Sequence, residues 1–350
     1  MEVAVLRYRP LVIFKRRRKN DPSAAIDAFW QWWATARPRV EKLIAGTPDD
    51  HLVKELGDAV EAVHPDLHWE FTAGDTSRHL LVVSAGGDPA LRSLAERWRR
   101  AGPAPDDVFG YASSRRGDPA ALADARLSIA GHELDLSELR FAADVDEDRD
   151  CVDVRVWHPA FPAMPEDARG QITFLALDWV LGEDTVEIWV GEIATATGPG
   201  PELTAVELAA LTAGMRPEDG TERWRNLTGM RSGKPLVAMA QTPLKPARWP
   251  GHDLHIRLEV PYSDADENGF PSAEAFPALY ALEDHISAHA DGAIVVAHET
   301  SDGTRTTHLY ADRPAASHAL EPLIAGWQDG RVRMTVTPDP RWDEVAHLNP

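Results

Sequence analysis

The 350-residue chain is 43% hydrophobic and holds 12 Trp, enough apolar material for two or three packed cores and too much for disorder over most of its length. Its formal charge is −20; of 36 basic and 56 acidic residues, seven basic and one acidic fall in the first 20 positions, and the remaining 29 and 55 make a strongly acidic body. Such a body repels nucleic-acid backbones and anionic membrane and favours basic protein partners.

In chain order, Leu11 to Phe14 is the apolar run that leads into the basic run Lys15 to Lys19. It is too short for a signal h-region or a membrane span, and no later window supplies one. With one cysteine and therefore no internal disulfide, the chain reads as cytoplasmic. Residues 1–20 read as a solvated basic tail. Asp21 and Pro22 suit the start of a helix, in which Ile26, Phe29, Trp30, Trp33, Ala34 and Arg37 recur at helical spacing, so the aromatic run reads as core, ended or kinked at Pro38. A second helix from Thr47, Pro48 and Asp50 turns Leu52, Leu56, Val60 and Val63 inward. The strands HWEFTAG and HLLVVSA, a helix from Pro89 to Arg100 and the strand DVFGYAS follow. Arg97, Arg99, Arg100, Arg115 and Arg116 form a basic island in the acidic body, and cations suit a helix C-terminus in their own right, so this reads as a solvated face.

The most informative stretch is Leu139 to Ile193. Two alternating runs, Leu139 to Val145 and Cys151 to Trp157, precede a helix whose Ile172, Phe174, Leu175, Leu177, Trp179, Val180 and Leu181 cover nearly its whole circumference, which predicts a helix held between layers, and a strand follows. Strand, strand, helix, strand is also the order of the first stretch, and a similar order recurs between Asp253 and Thr337. Residues 195–202 combine Gly, Pro and small polar residues and read as a linker. The expected division is a tail at 1–20, an N-terminal α/β domain of two ββαβ halves at 21–194, and a C-terminal domain at 203–350. After a helix from Leu203 to Met215 and a hairpin turning at Ser232 and Gly233, the order becomes βαββαβ, the ferredoxin-like plan. The fold class is α+β.

From Trp224 to Val345 the strand GKPLVA, the loop PYSDADENGFPS, the helix ALYALEDHI, a two-strand meander and the closing DPRW resemble proteins catalogued as domain of unknown function 695. The resemblance covers the last third of the chain. It implies a module like the regulator of ribonuclease activity B, ferredoxin-like and acting by binding a ribonuclease. Trp224, Trp249, Tyr262, Tyr310 and Trp342 are the aromatics of this module that periodicity does not obviously bury.

Three patterns carry candidate chemistry. Asp264, Asp266 and Asn268, with Gly269, open like a calcium loop in which oxygen ligands ring a hard cation, but Ala275 stands where a bidentate Glu belongs, and an Asx-capped turn uses the same residues. His285 and His289, four apart on a helix, could share a metal with Glu283, Asp284 or His298, or simply stand in solvent. Asp178, the one charge within the apolar helix, is a candidate acid of raised pKa or a helix-rim residue. Cys151 reads as a packed thiol, although His158 lies one strand-length away. The chain has no GxSxG elbow, no HExxH and no GxGxxG after a strand, and the run Gly229 to Lys234 is one residue short of a phosphate-binding loop. No cofactor, no specific nucleic acid and no small molecule is assigned. The expectation is a non-catalytic protein-binding or regulatory protein with an unidentified protein partner; the alternative is a hydrolase or metal-dependent enzyme with its site between the domains.

Overall fold

The computed structural model describes residues 22–129, 131–216 and 223–349, so the basic tail and Asp21 lie outside the described residues. The architecture is mixed α and β, with helices packed on several separate sheets.

In the first stretch α1 (Pro22–Ile44) and α2 (Asp50–Val63) precede β1 (His68–Ala73), β2 (His79–Ser84), α3 (Pro89–Ala101) and β3 (Phe109–Ala112). Asp49 starts α2 by accepting the Leu52 N–H at 2.9 Å, and Asp88 with Pro89 starts α3 in the same way. Pro38 does not end α1, which continues to Ile44. The sheet order is β1-β2-β3, with β1 antiparallel and β3 parallel to β2. Phe29, Trp33, Trp98, Phe109, Leu52 and Leu81 are almost fully enclosed, so the aromatic run on α1 is core.

A small hairpin, β4 (Arg126–Ile129) and β5 (His132–Asp135), leads to β6 (Arg140–Asp146), β7 (Cys151–Trp157), α4 (Glu166–Leu181), α5 (Glu183–Trp189), β8 (Val190–Thr195) and α6 (Ala205–Ala213). Again the outer strands of β6-β7-β8 are antiparallel and parallel to the middle one. Two expectations change here. Helix α4 is not apolar on every side in use: Ile172, Ala176, Leu177 and Val180 are buried while Phe174 is 56% exposed, because only one face meets the sheet. The stretch after it is helix before it is strand. Gly182, at φ +80, breaks the first helix and lets α5 start, and a Cβ there would stand 2.6 Å from the Gly117 nitrogen.

Past the linker the chain stays with this second core. Leu203 exchanges backbone hydrogen bonds with Phe141, a Thr204–Glu207 capping box opens α6, and Leu208 is fully buried against the α4 core. Packing therefore joins 203–215 to the N-terminal side, although the composition shift sits earlier. Limited proteolysis is expected to cut first between Thr197 and Gly200, all four exposed. The two fragments should stay together on gel filtration, held by α6; immediate separation would contradict this packing.

The third stretch is built differently. β9 (Arg223–Arg231), β10 (Lys234–Thr242), β11 (Leu254–Pro261), β12 (Ala293–Ser301), β13 (Thr304–Ala311) and β14 (Arg333–Pro338) form one sheet in the order β14-β11-β13-β12-β10-β9, antiparallel at every pairing. Helices α7 (Phe276–His289) and α8 (Ala315–Ile324) join β11 to β12 and β13 to β14. Ser232 and Gly233 both take positive φ at the β9–β10 turn, the geometry that matches hairpin twist. Among the described residues no helix is long and apolar enough to cross a membrane.

Candidate functional site

Alternation along the strands gives the large sheet two unlike faces. Ile256, Leu258, Leu309 and Ala311 point to α7 and α8, where Ile286, Ala290, Ala316 and Leu320 meet them. The opposite face is closed by the chain end: Trp342, Val345 and Leu348 pack on Ala238, Ala240, Ala297 and Tyr310. Four of the five aromatics that periodicity left open lose most of their exposure, Trp249, Tyr310 and Trp342 in this packing and Tyr262 against Val260 and Leu279. Tyr262, Tyr310 and Trp342 are buried and Trp249 is partly so, while Trp224 stays 37% exposed.

Under the closing segment lies a buried polar chain. The His255 and His308 rings share a hydrogen bond at 2.9 Å, and burial, followed by the neighbouring His308, pushes His255 down to about 4. Glu299, 1% exposed, meets Arg231, His308 and His347, the last at 2.5 Å. Burial alone would raise its pKa, but the neighbouring His308 and the hydrogen bonds from Arg231 and His347 hold the carboxylate well below its ordinary range. Tyr310 donates to Asp339 at 2.5 Å, and Asp339 also accepts the Asp343 and Glu344 N–H groups. Two of these links, Glu299–His347 and Tyr310–Asp339, tie strand to closing segment and anchor it, while His255–His308 and Glu299–Arg231 join strand to strand.

The helix-side face differs across its width. Helices α7 and α8 cover β11 to β14, but β9 and β10 extend beyond them. By register Trp224, Asn226, Thr228 and Met230 lie on this side with Val237 and Met239. Trp224, Met230 (67% exposed), Val237 and the adjoining Tyr280 on α7 are four of the nine large apolar side chains that stand exposed among the described residues. Beneath them Trp224 stacks on His298, His298 lies 3.5 Å from Glu283, and Glu283 takes a two-pronged hydrogen bond from Arg305, whose guanidinium lies over the Tyr280 ring. The apolar patch is thus mounted on a fixed polar base. It ends at β9, the last strand of the sheet, whose outer edge has no paired strand among the described residues.

The residues singled out by sequence fall into separate places. Asp266 accepts the Asn268 and Phe270 N–H groups, Asp264 accepts the Ser272 hydroxyl, and Gly269 sits at φ +81, so this loop is a capped turn. His285 and His289 stand exposed on α7 with ring centroids 4.3 Å apart and His289 bonded to the His285 carbonyl. Among the described residues no group of three His, Cys, Asp or Glu could hold a metal ion. Cys151 is buried, and His158 bonds instead to the Asp135 carbonyl and the Ala160 N–H.

Asp178 belongs to a seam between the two N-terminal halves that sequence reasoning missed. Arg92, 3% exposed, binds Asp184 and Glu187 and the Glu183 carbonyl; Ser84 donates to Glu183, Ser114 to Asp184 and Arg115 to Glu70. Burial pushes Asp178 up to about 6, against the pull of Arg115 and Arg92, and pushes Glu183 up to about 7 with help from Asp178. Folding therefore takes up protons here. The stabilisation from the neutral carboxyls is complete below about pH 4 and is lost as pH rises through about 6 and 7. Glu183→Gln should accordingly melt higher than the parent at pH 8 and match it at pH 4. A variant that melts lower at pH 8 would show that the charged carboxylate is the stabilising form.

Residues 222–345 match the family model described as "Family of unknown function (DUF695)". The match spans the whole of the large sheet and both its helices, and leaves out the N-terminal halves and their seam. No curated protein and no solved structure matches the chain.

Proposed function

We propose that the protein is a non-catalytic protein-binding or regulatory protein whose contact surface is the open edge of β9 with the apolar patch beside it. The observation that carries this is the gathering of Trp224, Met230 and Val237 on the part of the sheet that no helix covers among the described residues, with Tyr280 beside them on α7. Exposed apolar patches rimmed by polar groups mark contact surfaces, and an open strand edge accepts an extended segment as an added strand. The occupant we assign is an extended basic segment of another protein, since the −20 charge of the chain steers cations toward it. The β14-β11-β13-β12 order with two crossing helices supports reading this unit as ferredoxin-like, with β9 and β10 as an addition. A likeness to the regulator of ribonuclease activity B, and action in the cytoplasm, belong to the same proposal. The enzyme alternative needs Asp178, Asp264, Asp266, His285 and His289 to converge, and their interactions lie on different elements.

The test is co-purification from the native cell with the parent chain and with Met230→Glu, at low and high salt. The parent should retain a stoichiometric partner at low salt, lose it as screening increases, and lose it at low salt in the variant. Equal retention by the variant would remove this face from the interface. Saturable hydrolysis of an ester, phosphate or peptide library by the purified chain would favour the enzyme.

A further inference from the structure

The seam opens on one side into a groove of ≈600 Å³, within the size range of small-molecule sites. We propose that this groove binds a small phosphorylated anion, a role independent of the β9 face. One wall is the loop Ser113 to Gly117, which leaves the carboxyl end of β3 beside its parallel partner β2, the end at which open α/β units gather ligands. The junction of α4 and α5 forms the floor. Gly117 and Gly182 meet there so closely that a Cβ on Gly117 would stand 2.5 Å from the Leu181 carbonyl carbon. The last turn of α6 supplies the third wall.

The charge of this groove opposes that of the chain. Among the described residues four guanidiniums, Arg99, Arg115, Arg116 and Arg216, line it with a single carboxylate, Asp184. Both oxygens of Asp184 are already engaged, one by Arg92 and the other by the Ser114 hydroxyl. Arg99 is braced on Glu96, which it shares with Arg100, so two cations stand on one carboxylate. Arg115 is braced on Glu70 and Arg116 on Asp75. A guanidinium carries five N–H donors, and these bonds leave several free; the Nε of Arg115 is buried without a partner among the described residues. Arg216, exposed at the rim, bonds only the Thr185 hydroxyl at 3.4 Å among the described residues. Braced guanidiniums on facing walls suit an anion that presents acceptor oxygens in several directions, which a phosphoryl group does and a planar carboxylate does less well. Sequence alone saw the Arg99 to Arg116 island as a solvated face; the addition of Arg216, just beyond α6, turns it into one wall of a groove.

Calorimetric titration of the full chain with pyrophosphate, and separately with citrate at matched ionic strength, tests the assignment. Pyrophosphate should bind one to one, citrate at least about tenfold more weakly, and Arg116→Ala and Arg216→Ala should each weaken pyrophosphate by about tenfold. Both arginines are exposed, so the variants should keep the parent melting temperature without ligand. Lys234→Ala, a surface cation on the β9–β10 turn, should bind as the parent does. Absence of saturable heat at millimolar pyrophosphate, equal affinity for citrate, or parent-like affinity in both arginine variants would each overturn the proposal.

Discussion

Trp342→Ala is expected to lower the unfolding free energy by about 4 kcal/mol, the cost of truncating a fully packed aromatic. Trp342 is 2% exposed, stacks on Tyr310 at 4.0 Å and on Trp249 at 5.4 Å between ring centroids, and donates its indole N–H to the His252 carbonyl at 2.9 Å. Its backbone is left-handed at φ +60, which alanine inherits without the stacking that offsets it. Trp342→Phe keeps a ring against Tyr310 and should cost less than half as much. Urea unfolding of the three chains is the measurement. A loss below about 1 kcal/mol in the alanine variant would mean that the closing segment does not hold the sheet.

Arg92→Met should cost about 3 kcal/mol, because removing the buried cation strands the carboxylate of Glu187, 14% exposed, beside that of Asp184, which at 40% exposure is partly relieved by water. Arg92 binds Asp184 at 2.5 Å and the Glu183 carbonyl at 3.2 Å, besides Glu187. Adding Glu187→Gln to the methionine variant removes one of the stranded charges and should recover part of the loss, so the two substitutions are not additive. Strict additivity in thermal melts would show that the seam is screened by solvent and that the two halves are not coupled through Arg92.

The large sheet was largely legible in the sequence because its strands alternate cleanly and its turns carry residues that tolerate positive φ, Ser232 and Gly233 at one and Asp302 and Gly303 at another. The aromatic run on α1 was legible for the same reason, since Phe29 and Trp33 lie one helical turn apart. Periodicity failed where tertiary contact decides burial. Phe174 shares the apolar pattern of α4 but has no neighbouring layer, and Tyr310 and Trp342 are buried by each other along an irregular closing segment that has no period to read. Glu183 to Trp189 alternates like a strand, yet Gly182 and the acidic first turn start a helix there. The seam and its groove could not be read at all: Glu70, Arg92, Arg115, Asp178, Asp184 and Arg216 come from four elements and two connecting segments, and their meeting is a property of the packing between two halves.

The β9 contact surface is open to a single decisive measurement, hydrogen exchange of the full chain alone and bound to its co-purified partner. If an extended segment adds to the sheet, the outward-facing amides within Arg223–Arg231 should exchange slowly in the complex and fast in the free chain, where the outer edge of β9 has no ladder partner among the described residues. Protection should extend to the neighbourhood of Val237 and Tyr280 and leave the exposed run Thr197 to Gly200 unchanged. Protection confined to the N-terminal halves, with β9 exchanging at its free rate, would contradict this surface as the place where the protein acts.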